Sequence, residues 1–136
     1  MKKTISNEIK NLLKPFFVNL NLDDVVLIDN GISLAGVILK LFNASAITFG
    51  NRIYFSKPLN QNDPSTIFLI AHELVHVEQY KKNGMISFLL KYVGELIRNL
   101  IIHRRFIIAY KKISFEEEAY KKGGWIFDEI VGYEDI

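Results

Sequence analysis

The sequence predicts one α+β domain over residues 1–136, with a small antiparallel sheet and three or four helices. Three observations predict this fold class. Hydrophobic residues make up 49% of the chain and charged residues 24%, which is typical of a globular domain. Two β-prone runs on either side of a Gly-Asn pair predict a hairpin over residues 46–55. A helical pattern over residues 64–82 is apolar on most of its surface, so this helix belongs at the centre of the domain.

The predicted elements before the hairpin are short. Apolar residues at helical spacing between Ile5 and Phe16 predict an amphipathic helix that ends near Pro15. A β-branched run over residues 25–28 predicts a strand that extends the hairpin sheet. Residues 32–42 are apolar, and their pattern does not distinguish a helix from a strand.

A long helix is predicted over residues 85–112, with a bend near Gly94 or His103. We expect its apolar side to pack on the central helix. That side carries Ile86, Leu90, Val93, Ile97, Leu100 and Ile107.

A last helix is predicted to begin at Ser114, because Ser114 and Glu117 have the spacing of a capping box. The pair Gly123 and Gly124 is expected to end it.

Charge is unevenly distributed in the second half of the chain. Residues 81–112 carry eight basic residues against one acidic residue, and residues 113–136 carry seven acidic residues against two basic ones. We expect the two segments to neutralise each other in the fold. The alternative is a basic surface for phosphate or lipid head groups.

Composition excludes several classes of protein. The chain has no Cys, which excludes a disulfide framework and a thiolate metal site. Its net charge of +2 gives no reason to expect specific nucleic-acid binding. Charged residues interrupt the basic N-terminal stretch and no segment has the pattern of a membrane span, which predicts a soluble cytoplasmic protein and leaves export by a specialised system open. The sequence does not indicate an oligomeric state.

The clearest chemical pattern is H-E-x-x-H, formed by His72, Glu73 and His76 on the central helix. Residues four apart lie on the same face of a helix, so both imidazoles can bind one metal ion. Zn²⁺ suits two imidazoles and a carboxylate with one position left for water. Glu73 lies about 100° round the helix from His72, where it can accept a proton from that water as a general base. The motif therefore predicts zinc-dependent hydrolysis of a peptide bond. An ordinary pair of helix histidines fits less well, because the motif lies among apolar residues.

The third ligand must come from another part of the chain. Gln79 and Lys82 stand where the longer motif H-E-x-x-H-x-x-G-x-x-H has its glycine and last histidine, so that type of site is excluded. The candidates are His103 and the acidic run over residues 116–118.

The three acids differ in their helical neighbours. Glu117 occupies the capping-box position, and Glu118 shares a face with two lysines. Glu116 shares its face with small or aromatic residues that allow close packing on the central helix, namely Ala119, Tyr120 and Gly123. We therefore expect Glu116 to be the third ligand, with His103 as the main alternative.

Other polar residues can support this chemistry. Gln79 falls one turn after Val75 and His76 and can orient a ligand, although an exposed helix glutamine is equally consistent with the pattern. Peptide hydrolysis also needs a group that stabilises the oxyanion. The candidate phenols are Tyr80, Tyr92, Tyr110 and Tyr133.

Three segments of the chain together resemble a known family. They are AITFGNRIYF at residues 46–55, HELVHVEQ at residues 72–79 and FEEEA at residues 115–119. The chain resembles the zincin-like extracellular contractile injection system core domain family over about residues 24–120. This resemblance implies a metallopeptidase-like fold that acts on a peptide or protein, with His72, His76 and Glu116 as zinc ligands and Glu73 as the catalytic acid/base. The Glu-x-Glu-Ala arrangement is also similar to that of gluzincin membrane peptidases, which have an Asp where this chain has Tyr120.

Two classes of function remain. The first is a zinc peptidase whose substrate lies along the hairpin over residues 46–55, as the substrates of zincins lie along an edge strand. The second is a non-catalytic zincin-like module, associated with a toxin or with secretion, that acts through the basic surface over residues 81–112. Peripheral membrane contact through the same segment is less favoured, because its apolar side is expected to cover the central helix.

Overall fold

The computed structural model describes residues 2–29 and 45–134, which in these ranges form five α-helices, two 3₁₀ turns and a four-stranded sheet. The strands are β1 (Lys2–Thr4), β2 (Val26–Ile28), β3 (Ala46–Phe49) and β4 (Arg52–Phe55). The helices are α1 (Asn7–Leu13), α2 (Pro64–Asn83), α3 (Met85–His103), α4 (Phe106–Lys111) and α5 (Ser114–Glu134). The 3₁₀ turns are Lys14–Phe16 and Leu22–Asp24. The apolar run over residues 32–42 lies outside the described residues.

The fold class is α+β, but the sheet is mixed and has the order β1-β2-β4-β3. The predicted hairpin is confirmed: β3 and β4 pair antiparallel around Gly50, whose φ of 63° suits glycine. The predicted strand over residues 25–28 joins the sheet, but it pairs parallel with β4, so the expectation of an antiparallel sheet is wrong. The strand joins beside β4 and leaves β3 at the edge of the described sheet.

The N-terminal segment differs from its prediction in one respect. It starts as strand β1, and α1 follows behind Ser6, whose side chain accepts a hydrogen bond from the Ile9 amide. The 3₁₀ turn that contains Pro15 then continues from α1. Ile9 and Leu13 of α1 are buried in the main core between the sheet and α2.

Helix α2 is central, as predicted. Asp63 caps it by accepting a hydrogen bond from the Ser65 amide, and the chain leaves it at Gly84 with a positive φ. Its side chains Ile70, Leu74 and Val75 are fully buried, and Ile67, Phe68 and Leu69 are half-buried. Burial on nearly every side explains why the pattern is apolar nearly all round.

Helix α5 packs along α2 and is longer than predicted. It continues through Gly123 and Gly124 to Glu134. Gly123 faces α2, where a Cβ would lie 3.8 Å from the Cα of His72 in ordinary van der Waals contact, and it does not end α5. Ser114 Oγ donates to the Glu95 carboxylate, in place of the predicted capping box.

The predicted long helix over residues 85–112 is two helices. The chain turns at Arg104, which has a left-handed φ of 59°, next to the bend expected at His103. With α4 and α5, the described chain therefore has five helices, more than the three or four expected. The prediction of which side of α3 faces inward is wrong, because Leu90 and Ile97 are exposed and Phe88 is buried.

Two further findings concern charge and hydropathy. Within the described residues, no ion pair joins residues 81–112 to the acidic segment that follows, so the expected neutralisation does not take the form of direct contacts. No described helix combines the length and apolarity needed to cross a membrane. Cytoplasmic location stays a prediction.

Candidate metal centre

Two imidazoles of α2 converge on one carboxylate of α5. His72 Nε2 lies 3.1 Å and His76 Nε2 lies 3.0 Å from the same atom, Glu116 Oε1. The candidate ligand atoms of His72, Glu73 and His76 all lie within 4.8 Å of one another, so this group could hold a metal ion. The helical spacing of the histidines and the close packing of α5 on α2 together produce this convergence.

Electrostatic interactions in the group are strong. Burial alone would lower the pKa of His76, but its hydrogen bond to Glu116 and the charges of Glu73 and Glu116 outweigh burial and raise this pKa to about 9. Burial would raise the pKa of Glu116, but hydrogen bonds from His72 and His76 hold it well below its usual range. The centre therefore carries negative charge that attracts a cation, either a proton or a metal ion.

Glu73 is buried beside the same centre. Thr48 Oγ1, on the edge strand β3, donates a hydrogen bond of 2.6 Å to Glu73 Oε2. The carboxylate is therefore held by the strand that borders the site, and its orientation depends on β3 as well as on α2.

Gln79 connects α2 to the first turn of α5. It is only 4% exposed, so it is not the exposed glutamine that the sequence left as an alternative. Its Oε1 lies 2.8 Å from His76 Nδ1, and its Nε2 donates to the Phe115 carbonyl and to Glu118, each at 3.0 Å. Because an amide oxygen can only accept, this contact directs a proton to Nδ1 of His76 and turns Nε2 towards Glu116.

Comparison with known families identifies the chain. A family model for the eCIS core domain matches residues 5–84, more than half of the 136 residues. The chain belongs to the eCIS core domain family. The match includes the hairpin and α2 with His72, Glu73 and His76, whereas Glu116 lies beyond it. Neither curated proteins nor solved structures match the chain.

The tyrosines of this eCIS core domain have different positions around the centre. Tyr92 donates a 2.6 Å hydrogen bond to Glu116 Oε2, and Tyr80 donates to the Thr48 carbonyl at 3.0 Å. Tyr110 lines the cavity beside the centre, where burial and the charges of Glu116 and Glu73 raise its pKa. Its phenol therefore stays protonated and can donate. The side chain of Tyr133 lies outside the described residues.

The candidate metal centre of this eCIS core domain opens on a cavity of about 1220 Å³. Strand β3 and helices α2, α3, α4 and α5 contribute to its walls, and His72, Glu73 and His76 line it. Aromatic residues such as Phe68 and Phe127 make much of the wall apolar. His103 ends α3 and is not among the described residues that line this cavity.

Two contacts at the centre were not predicted from the sequence, namely that of Thr48, which had no assigned role, and that of Tyr92, which was a candidate for stabilising the oxyanion. Thr48 belongs to the AITFGNRIYF segment, and only the position of that segment beside α2 reveals its contact with Glu73. Tyr92 was one of several phenols, and its spacing of four residues from the buried Phe88 is the signal that places it on the inner side of α3.

Proposed function

We propose that this eCIS core domain is a zinc-dependent peptidase with a zincin-like fold, and that His72, His76 and Glu116 bind the zinc ion. The convergence of both Nε2 atoms on Glu116 Oε1 carries the proposal. In a tetrahedral zinc site with bonds of about 2.0–2.1 Å, neighbouring ligand atoms lie about 3.3 Å apart. The distances of 3.0 and 3.1 Å in the structure are close to that spacing, so the donor set fits zinc in both chemistry and size.

Glu73 is the general base of the proposed reaction. Zinc, when bound, would lower the pKa of a water molecule and polarise the carbonyl of the scissile bond. Thr48 holds Glu73 Oε2, and we assign proton transfer to Oε1. The fixed carboxylate first removes a proton from water and then delivers it to the leaving amine.

Tyr110 is the best placed phenol for stabilising the oxyanion. Tyr80 and Tyr92 already donate to Thr48 and Glu116, respectively. Tyr110 lines the cavity, and burial keeps its phenol protonated. It also interacts with the Glu116 carboxylate, so donation to the oxyanion would replace that contact.

The proposed substrate is a peptide or protein segment in extended conformation. The cavity exceeds the range of about 300–1000 Å³ that is usual for sites of small ligands. Strand β3 lines it at the edge of the described sheet, where an extended peptide can pair with backbone groups. The apolar wall favours peptides with large apolar side chains.

The alternative is a module that holds zinc only structurally. A structural zinc site has four protein ligands, whereas a catalytic site keeps a position for water. The opening of the His-Glu-His group on a large cavity favours catalysis.

A proteome-derived peptide mixture, which contains thousands of sequences, tests the proposal without a known substrate. The zinc-loaded protein is incubated with the mixture, and new peptide termini are identified by mass spectrometry. We expect cleavage by the native protein and none by Glu73→Gln, although both bind one zinc ion. Glu78→Gln is the matched control, because Glu78 is two residues after His76 on the same helix and forms an ion pair with Lys122.

Two results would overturn the proposal. One is the absence of new termini with fully zinc-loaded native protein. The other is cleavage that persists in Glu73→Gln, which would indicate a contaminating peptidase or another base.

A further inference from the structure

Helix α3 has an apolar stripe on its outer side. The stripe consists of Ile86, Leu90, Val93, Ile97 and Ile101, which are spaced by three or four residues and therefore lie on one side of the helix. All five are exposed, and the exposed fractions of Ile86, Leu90 and Ile101 are 75%, 71% and 71%. An apolar strip of this length is unusual on a water-exposed surface.

The opposite side of α3 explains why the stripe points outward. Phe88 is buried against Tyr80 and Phe115, and Tyr92 donates to Glu116. Asn99 is buried and donates to the Ala109 carbonyl. The inner side of α3 is therefore committed to the metal centre and to α4, and the stripe cannot turn inward without breaking these contacts.

Exposed basic residues lie in the same part of the chain as the stripe. Those in α3, α4 and the turns that follow them are Lys91, Arg98, Arg104, Arg105, Lys111 and Lys112. None of them forms an ion pair with another described residue. The single acid in this region, Glu95, accepts a hydrogen bond from Ser114. The charges of this region are thus predominantly positive, six basic residues against one acid.

We propose that the outer side of α3 binds the surface of an anionic lipid bilayer, with the helix lying parallel to the membrane plane. An apolar stripe with a basic margin is the combination that interfacial helices use, since the apolar side chains enter the acyl region and the cations contact head groups. The proposed attachment is peripheral, with α3 lying on the membrane surface. A protein partner would more commonly meet a rim of both charge signs.

Attachment would place the cavity next to the bilayer. Val93 of the stripe and Ile107 of α4 are exposed and also line the cavity mouth. The lipid surface would therefore border the opening through which a ligand enters. This inference does not depend on zinc or on peptidase activity.

Vesicle flotation of the full chain tests the inference. We expect the protein to float with vesicles of phosphatidylcholine and phosphatidylglycerol, and to stay at the bottom with phosphatidylcholine alone. Added salt should weaken the binding, because it screens the cations.

Two pairs of substitutions separate the apolar and electrostatic parts. The double variant Leu90→Ser with Ile97→Ser should reduce the partition coefficient by about tenfold or more for each side chain. Arg98→Gln with Arg105→Gln should reduce it by about fivefold for each charge. These residues are exposed, so circular dichroism should show an unchanged fold.

Matched controls use similar residues elsewhere. Val18→Ser removes an apolar side chain that is 79% exposed, and Lys2→Gln with Lys57→Gln removes two exposed charges. Neither control should reduce flotation by more than the general effect of net charge.

Failure of the native protein to float with anionic vesicles would overturn the inference, as would equal loss in the controls and the stripe variants. A stripe that instead mediates self-association would appear in sedimentation as a dimer lost in Leu90→Ser with Ile97→Ser, and this also would overturn it.

Discussion

Replacement of Gln79 by Met should weaken zinc binding by about 10- to 100-fold, although Gln79 is not a proposed ligand. The Gln79 Oε1 atom lies 2.8 Å from His76 Nδ1 and holds the ring with Nε2 towards Glu116. Met has a similar shape but cannot accept this hydrogen bond effectively. Because Gln79 is buried, water has little access to replace it. The expected loss corresponds to about 1.4–2.7 kcal/mol of binding free energy.

The same substitution should destabilise the metal-free protein. Gln79 Nε2 donates to the Phe115 carbonyl and to Glu118, which joins α2 to the first turn of α5. Loss of a buried donor costs about 1–3 kcal/mol. Gln79→Glu separates the two roles, since it keeps an acceptor for His76 and removes both donors. We expect it to keep native zinc affinity and to lower the free energy of unfolding.

Competition with a chromogenic chelator measures zinc affinity, and urea unfolding in excess chelator measures stability without metal. Glu78→Gln is the control, because Glu78 is adjacent to Gln79 but pairs with Lys122 at 2.8 Å. The reasoning is refuted if Gln79→Met binds zinc as tightly as the native protein, or if Glu78→Gln weakens binding equally.

Three further predictions concern the centre itself. Thr48→Val should lower kcat for peptide cleavage by about tenfold or more with zinc affinity unchanged, while Thr48→Ser should retain activity, because only the hydroxyl donates to Glu73. Glu116→Gln should weaken zinc binding in the chelator assay, and Glu117→Gln, on the exposed side of α5, should not. Because the His76 pKa is raised from 6.5 to about 9, its contribution to the stability of the metal-free protein should be fully present at pH 6 and should be lost as pH rises through 9, by up to about 3 kcal/mol. Urea unfolding in chelator at pH 6 and pH 9.5 measures this loss, and an equal free energy of unfolding at both pH values would contradict the prediction.

The elements with local signals could be predicted from the sequence. Asp63 and Pro64 mark the start of α2, as a capping residue and a proline in the first helical turn. Gly84 marks its end, because glycine readily adopts the positive φ that is found there. The turn at Gly50 determines the antiparallel pairing of β3 and β4. Each of these signals depends on a few neighbouring residues, which is why the sequence alone was sufficient.

The pairing of β2 depends on contacts far apart in the chain. Val26 lies opposite Arg52, with β3 between them in sequence, and no local pattern specifies the parallel direction. The glycine pair that was expected to end α5 shows the same limit. Gly123 lies against His72 on another helix, so its role is visible only when both helices are in place.

The misassigned face of α3 has a physical cause that also explains the site. Periodicity shows that one side of a helix is apolar, and the usual inference is that this side is buried. Here the interior next to α3 contains the Glu116 carboxylate and two imidazoles, and the side that faces it carries the phenol of Tyr92 together with Leu89 and Leu96. A polar centre inside the domain therefore changes which side of α3 faces inward. The apolar side, with Leu90 and Ile97, is left exposed. The stripe is thus a consequence of the polar centre and also a surface available for binding.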